Sequence, residues 1–246
     1  MSLKKKLKNV DNILRFETDD LVTKKVIDFY EISPFPNYKD DDDKSTINYK
    51  GEKNTIAKYT KNFIGFNKKV LEVGCGTGQL SSYFAIGTNN KIFALDPTLK
   101  SISLAQKFCE KNQIKNIKFI NANIFDDIFN EEVFDFIWSN GVLHHTKDPY
   151  LAFKILTKNL KQNGYILIGL YNKFGRLRTI FRRFLYKIFG KKIVMLLDPT
   201  LRNLKNDEQI ISWIRDQYMH PVESLHTIDE VIKWFDYNNI EFISSI

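Results

Sequence analysis

VLEVGCGTGQLSSYFA, residues 70–85, sets the frame for reading the rest of the chain. VLEV (70–73) is a short apolar run ending in glycine, the pattern of a buried strand, and GQLSSYFA (78–85) continues it at helical spacing. A strand that passes through Gly74, Gly76 and Gly78 into a helix builds a loop where backbone and ligand approach closely, at the carboxyl end of the strand. The alternation continues outward. KIFALD (91–96), NIKFINA (116–122), FDFIWS (134–139) and GYILIGLY (164–171) read as further strands. SISLAQKFCEKNQ (101–113) and DPYLAFKILTKNL (148–160), with Pro149 in its first turn, read as helices between them. Strands separated by helix-length spans predict an α/β, doubly wound, mainly parallel sheet with helices on both faces.

Two segments fall outside this alternation, and residues 1–246 read as one domain with 70–171 as its core. Residues 1–69 are expected to form an N-terminal helical lid, in which DDLVTKKVIDFYE (19–31) is the clearest helix. Residues 172–239 are expected to form a helical cap from RLRTIFRRFLYKIFGKKIVMLL, NDEQIISWIRDQYM and TIDEVIKWFDY, and IEFISSI (240–246) to return as an edge strand. With 43% apolar residues, the chain buries a full core and disorder is excluded over most of it. Lys and Arg number 37 against 29 Asp and Glu, a net charge of +8 that suits nucleic acid, an anionic membrane or an anionic small molecule. Cys75 and Cys109 are too few for a disulfide framework, and no run approaches the ~20 apolar residues of a spanning helix, so a cytoplasmic location is expected. YKDDDDK (38–44) matches a common epitope tag lacking its first aspartate. It reads here as an acidic loop and is expected to be solvated.

The glycine loop narrows the cofactor. A dinucleotide fingerprint needs glycine at position 79, where Gln79 stands, and a phosphate-binding Walker loop needs a lysine after Gly78. The spacing from Glu72 through Gly74, Gly76 and Gly78 suits S-adenosylmethionine (SAM), whose methionine part lies over the glycines with no pyrophosphate to cradle. Asp96, 18 residues after Gly78, ends the second strand where a carboxylate accepts hydrogen bonds from both ribose hydroxyls. Asn123 is placed to read an adenine edge and Ile124 to pack on the ring, while Cys75 is a small loop residue rather than a nucleophile. Glu72 either touches the cofactor or holds the loop.

LEVGCGTGQLS, ALD, NANIFD, FDFIWSNGVLHHTKDP and LKQNGYILIGLY together resemble the successive motifs of class I SAM-dependent methyltransferases, and within them the ubiquinone/menaquinone-biosynthesis branch. The resemblance covers residues 70–171 and implies a Rossmann-like fold and a methyl transfer to a small-molecule acceptor. Two departures stand out: Asn123 replaces a frequent aspartate, and Gln162-Asn163-Gly164 replaces a frequent Lys-Pro-Gly-Gly turn.

Asn140, at the end of the fourth strand, is expected to approach the sulfonium of SAM, with His144 and His145 within one turn of it. Adjacent histidines point in different directions, unlike the i, i+4 pair of a helical metal site, so no metal is expected. One of the pair, His144 preferred, acts as base or orients the acceptor, or both only shape the pocket. Tyr171 at the end of the fifth strand faces the same crevice by topology. His220, Glu223 and His226 in MHPVESLHT (219–227) fold over the acceptor or serve as helix caps. Tyr30, Phe35 and Tyr38 form a lid or ordinary core.

KFGRLRTIFRRFLYKIFGKKI (173–193) has no acidic residue and alternates Arg and Lys with Phe, Leu and Ile. Its readings are a cap helix with its apolar face on the core, an interfacial helix reaching a membrane-bound acceptor, or a nucleic-acid or partner surface. Nucleic acid is disfavoured, because no separate RNA-binding module is visible and NGVL stands where amino-methylating enzymes carry N/D-P-P-[YFW]. A non-catalytic SAM-binding scaffold is the rival to an enzyme, and a homo-oligomer is compatible with either.

Overall fold

The computed structural model describes residues 3–245 except Lys6 and Lys205. In chain order it forms β1 (Lys8–Val10), β2 (Ile13–Arg15), α1 (Leu21–Ile32), α2 (Lys44–Lys53), α3 (Thr55–Ile64), β3 (Lys69–Val73), α4 (Gln79–Ala85), β4 (Lys91–Asp96), α5 (Leu99–Lys111), β5 (Ile117–Asn121), β6 (Phe134–Asn140), α6 (Pro149–Asn159) and β7 (Leu160–Gly169). A helical cap follows, consisting of α7 (Leu177–Phe189), α8 (Lys191–Leu197), α9 (Pro199–Asn203), α10 (Asp207–Ile214) and α11 (Ile228–Tyr237).

The sheet runs β1-β2-β5-β4-β3-β6-β7, and every pair but β1–β2 is parallel. The five strands read from the sequence are β3 to β7, and the doubly wound α/β order is the one expected. Val70, Leu71, Ile92, Phe134 and Ile137 are fully buried between helices on the two faces, which explains their unbroken apolar runs. Chain order reverses at β3, flanked by β4 and β6, and this opens a crevice at the carboxyl ends.

Two expectations are corrected at the sheet edges. The N-terminal segment, expected to be helical, contains an antiparallel hairpin, β1–β2, besides its three helices; Asp11 and Asn12 turn it in left-handed conformations that these residue types tolerate. The tail does not add a strand. After α11 the Ile240 N–H bonds back to the Phe235 carbonyl at 2.9 Å and Phe242 stacks on Phe235, so 240–245 lies irregular against that helix; Ile246 is outside the described residues.

The acidic run 38–44 is not wholly solvated. Asp42 is buried, accepts two bonds from Lys50 at 2.7 and 2.8 Å, and accepts the Lys39 N–H, while Asp43 caps α2 through Thr46. The cap has its own small core, Val194, Leu201, Ile210, Ile214 and Tyr218. Against the cap-helix expectation, α7 contributes no buried residue. Its inward side chains include Arg183, 2.6 Å from Glu223, and Arg182, 3.9 Å from Asp198.

Candidate active site

A cavity of about 510 Å³ opens at the carboxyl ends of β3, β4 and β6. Its first half is built by backbone. Gly74, Cys75 and Gly76 line it where β3 turns towards α4, and the Gly74 and Cys75 N–H groups both donate to the Leu95 carbonyl of β4, at 2.8 and 3.1 Å. Gly76 has φ +52, and a Cβ there would run into the carbonyl oxygen of Phe35, so the N-terminal segment sits directly over the loop. Gly78 does not line the cavity; a Cβ on it would lie 2.7 Å from the Ala105 Cβ, so it seats α4 against α5.

Asp96 lines the cavity with its carboxylate held from behind, one oxygen accepting the Gly76 N–H and the other the Thr98 N–H, both at 2.8 Å. Each oxygen keeps a lone pair for a diol, and burial raises the pKa of the group. Glu72 is also buried at the cavity, accepts the Ser81 hydroxyl, and is pushed up to about 8 by burial, which leaves it largely protonated at neutral pH. Cys75 is buried and its thiol is pushed well up by burial, which suits a packing role and not a nucleophile. Ile124 and Asn140 line the cavity, and so does Asn123. The Asn123 amide nitrogen faces protein partners, Thr23 Oγ1 at 2.7 Å and Thr18 Oγ1 at 3.3 Å, and its side-chain oxygen accepts the Phe125 N–H at 3.3 Å as the cap of the turn 124–126, so this side chain is largely engaged in holding the cavity wall.

The second half is built by side chains from distant parts of the chain. His145 lines the cavity, and its Nδ1 lies 2.6 Å from the Val222 carbonyl. A carbonyl only accepts, so Nδ1 carries the hydrogen and Nε2 the lone pair. Burial lowers the His145 pKa, against the raising effect of the Val222 bond, so the ring is neutral at pH 7. Tyr171 and Tyr30 also line the cavity. The Tyr30 hydroxyl donates to Asp216 at 3.0 Å, and Asp216 is itself a lining residue that sequence reasoning missed. Asp216 sits in a widened π-type turn, 215–219, that ends α10, and no residue pattern announces such a turn.

Five expected side chains lie behind the cavity wall. His144, preferred over His145 from sequence, is fully buried and absent from the wall; neither ring nitrogen has a partner, its ring stacks on Tyr171 at 3.8 Å, and burial drives it down to about 2. His220 stacks under His145 at 3.6 Å and is pushed down to about 3 by burial. Glu223 is held by Arg176 (3.1 and 2.9 Å) and Arg183 (2.6 Å), and His226 by Ser224 (2.8 Å) and Glu230 (3.0 Å). Tyr38 donates to the Thr77 carbonyl at 2.7 Å and stacks on Phe108, bracing the glycine loop. The loop 219–227 therefore backs the histidines, with the Ser224 N–H on the His144 carbonyl and the His226 N–H on the Tyr171 carbonyl. Among the described residues, no three His, Cys, Asp or Glu side chains are grouped to hold a metal.

The donor set fits SAM. An open glycine turn, a buried carboxylate with free lone pairs and an apolar wall at Ile124 surround one cavity. Residues 64–227 match the methyltransferase domain family, and the chain belongs to the class I SAM-dependent methyltransferases. Among curated relatives it is 26% identical to the mitochondrial ubiquinone biosynthesis O-methyltransferase of Dictyostelium discoideum, over 70% of this chain and 49% of that protein. It is 30% identical to the ubiquinone biosynthesis O-methyltransferase of Actinobacillus pleuropneumoniae, over 54% of this chain and 56% of that one. The chain thus spans about half the length of the curated relatives it matches. The structure of PKMT2 from Rickettsia typhi in complex with AdoHcy shares the fold, with a TM-score of 0.59 at 20% identity, over 70% of this chain and 38% of that one.

Proposed function

We propose that this chain transfers the methyl group of SAM to a hydroxyl of a small aromatic acceptor, with His145 as general base. The observation that carries this reading is the His145 ring, placed in the wall of the cavity that the glycine loop also lines and held through Nδ1 by the Val222 carbonyl, so that Nε2 holds the lone pair of the neutral form. When bound, SAM supplies a methyl carbon made electrophilic by the sulfonium. The chain's own contribution is to hold the acceptor beside it and to take up the hydroxyl proton at His145 Nε2. Tyr30, Phe35, Trp138 and Tyr171 offer aromatic wall for a flat acceptor, and Asp216, anchored by Tyr30, offers a hydrogen-bond acceptor to it. The O-methyltransferase names of the curated relatives support the choice of oxygen.

Titration calorimetry with SAM and with its demethylated product, followed by turnover of labelled SAM on a panel of phenols and catechols, tests the reading. SAM binding and turnover are expected, and His145→Ala should lower kcat by about 10²–10⁴ with unchanged SAM affinity. No binding of either nucleoside would refute the enzyme, and wild-type turnover in His145→Ala would refute the base.

A further inference from the structure

We infer that the outward face of α7 is a docking surface for an anionic lipid membrane. Surface helices ordinarily turn their apolar stripe towards the core. In α7 the stripe points the other way: Leu177, Phe181, Phe184 and Ile188, spaced three or four residues apart, are 57%, 60%, 57% and 56% exposed, and Phe174 just before the helix is 70% exposed. The inner face is mixed: Tyr186 packs on the cap core and stacks on Tyr218 at 5.9 Å, and polar contacts hold the rest. Arg183 lies on Glu223 and the Gln217 carbonyl, Arg182 near Asp198, and Tyr186 against Met219.

At about 3.6 residues per turn the four stripe residues share one side of the helix, with Arg178 on one flank and Lys187 on the other. Lys173 precedes the stripe and Lys191 and Lys192 follow it; all five cations are exposed, and none forms a salt bridge among the described residues. No acidic residue occurs between positions 173 and 193. A second copy of the chain docked face to face would bring two such basic helices together without a counter-charge. A nucleic acid would meet the cations and leave the aromatic stripe in water. A lipid surface satisfies both, with the stripe in the headgroup–acyl boundary and the cations at the phosphates. No helix among the described residues is long and apolar enough to cross a membrane.

The proposal concerns binding alone and does not rest on methyl transfer. Flotation of the full chain with vesicles of phosphatidylcholine, alone or mixed with phosphatidylglycerol, tests it. Flotation with the mixed vesicles only is expected, and the exposed-site double variant Phe181→Glu/Phe184→Glu should cut partitioning by at least about 10-fold while melting and SAM binding stay unchanged. Wild-type protein left in the bottom fraction with mixed vesicles, or a double variant that floats as well as wild type, would overturn the proposal. Self-association of lipid-free protein that the double variant abolishes, without flotation of wild type, would assign the face to a second copy instead.

Discussion

Glu223→Gln is the substitution whose cost the structure sets most directly. The carboxylate is 6% exposed and receives Nε and Nη2 of Arg176, 8% exposed, together with Nη2 of Arg183, 22% exposed. Burial works against ionising Glu223, yet the bonds and charges of Arg176 and Arg183 outweigh it and hold the carboxyl below its ordinary range. Removing the negative charge strands one guanidinium away from water, a change that costs about 3–5 kcal/mol for a buried pair. Arg183 can rehydrate and glutamine keeps one acceptor oxygen, so we expect the low end, about 3 kcal/mol. For a chain of this size that corresponds to a melting point about 6–12 °C lower. Guanidinium chloride unfolding at pH 7 gives the difference, and the SAM affinity measured alongside should not change, because Glu223 is not in the cavity wall. A carboxyl held low stabilises the fold above the ordinary carboxylate range and loses that contribution as pH falls through the lowered value, so the gap should persist at pH 6 and close only in acid. A loss below about 1 kcal/mol, the worth of an exposed pair, would refute the buried-clamp argument.

Gly76→Ala places a methyl group against the Phe35 carbonyl at φ +52, so we expect SAM affinity to fall at least about 10-fold in calorimetry and stability to drop by about 1–2 kcal/mol; wild-type affinity would show that the N-terminal segment yields freely. His144→Phe keeps the stack on Tyr171 and removes two unpartnered ring nitrogens, so at pH 7 its stability should lie close to that of wild type. Because the folded-state value of His144 is near 2, the unfolded chain takes up the proton first as pH falls below about 6.5, and this destabilises the wild type but not the variant. Unfolding curves at pH 7 and 5.5 should therefore show the variant gaining about 1.3 kcal/mol on wild type, and a constant difference would show that His144 reaches water in the folded state.

The sheet and the cofactor half of the cavity were legible in the sequence because they are local. The residues from Val70 to Ala85 form one strand, one turn and one helix, and the turn donates its Gly76 N–H to Asp96, which ends the next strand. The β1–β2 hairpin escaped notice because three-residue strands leave no periodicity to count. The acceptor half was only partly legible. His145 is fixed by Val222, 77 residues on, and Tyr30 by Asp216, 186 residues on, so pairings of this kind exist only once the cap is folded. Histidines, a glutamate and a tyrosine advertise chemistry wherever they occur. For Glu223, His226 and Tyr38 that chemistry is consumed in holding the wall.

The case of α7 shows why a correct helix assignment stops short of function. Apolar residues at helical spacing establish that the helix has two faces, and they say nothing about which face turns inward. Orientation follows from what the inner neighbours offer. Here the cap presents two nearly buried carboxylates, Glu223 and Asp198, and the arginines of α7 supply counter-charge to them, Arg183 at 2.6 Å and Arg182 at 3.9 Å, that an apolar face would withhold. Asp198 also accepts the Trp213 indole N–H and the Tyr218 hydroxyl, so partners within the cap hold it in place independently of α7. The stripe of Leu177, Phe181, Phe184 and Ile188 is thus displaced outward by the electrostatics of the cap. The outward stripe and the Glu223 clamp are two consequences of the same packing, and loss of the clamp by substitution should loosen the orientation of the stripe as well.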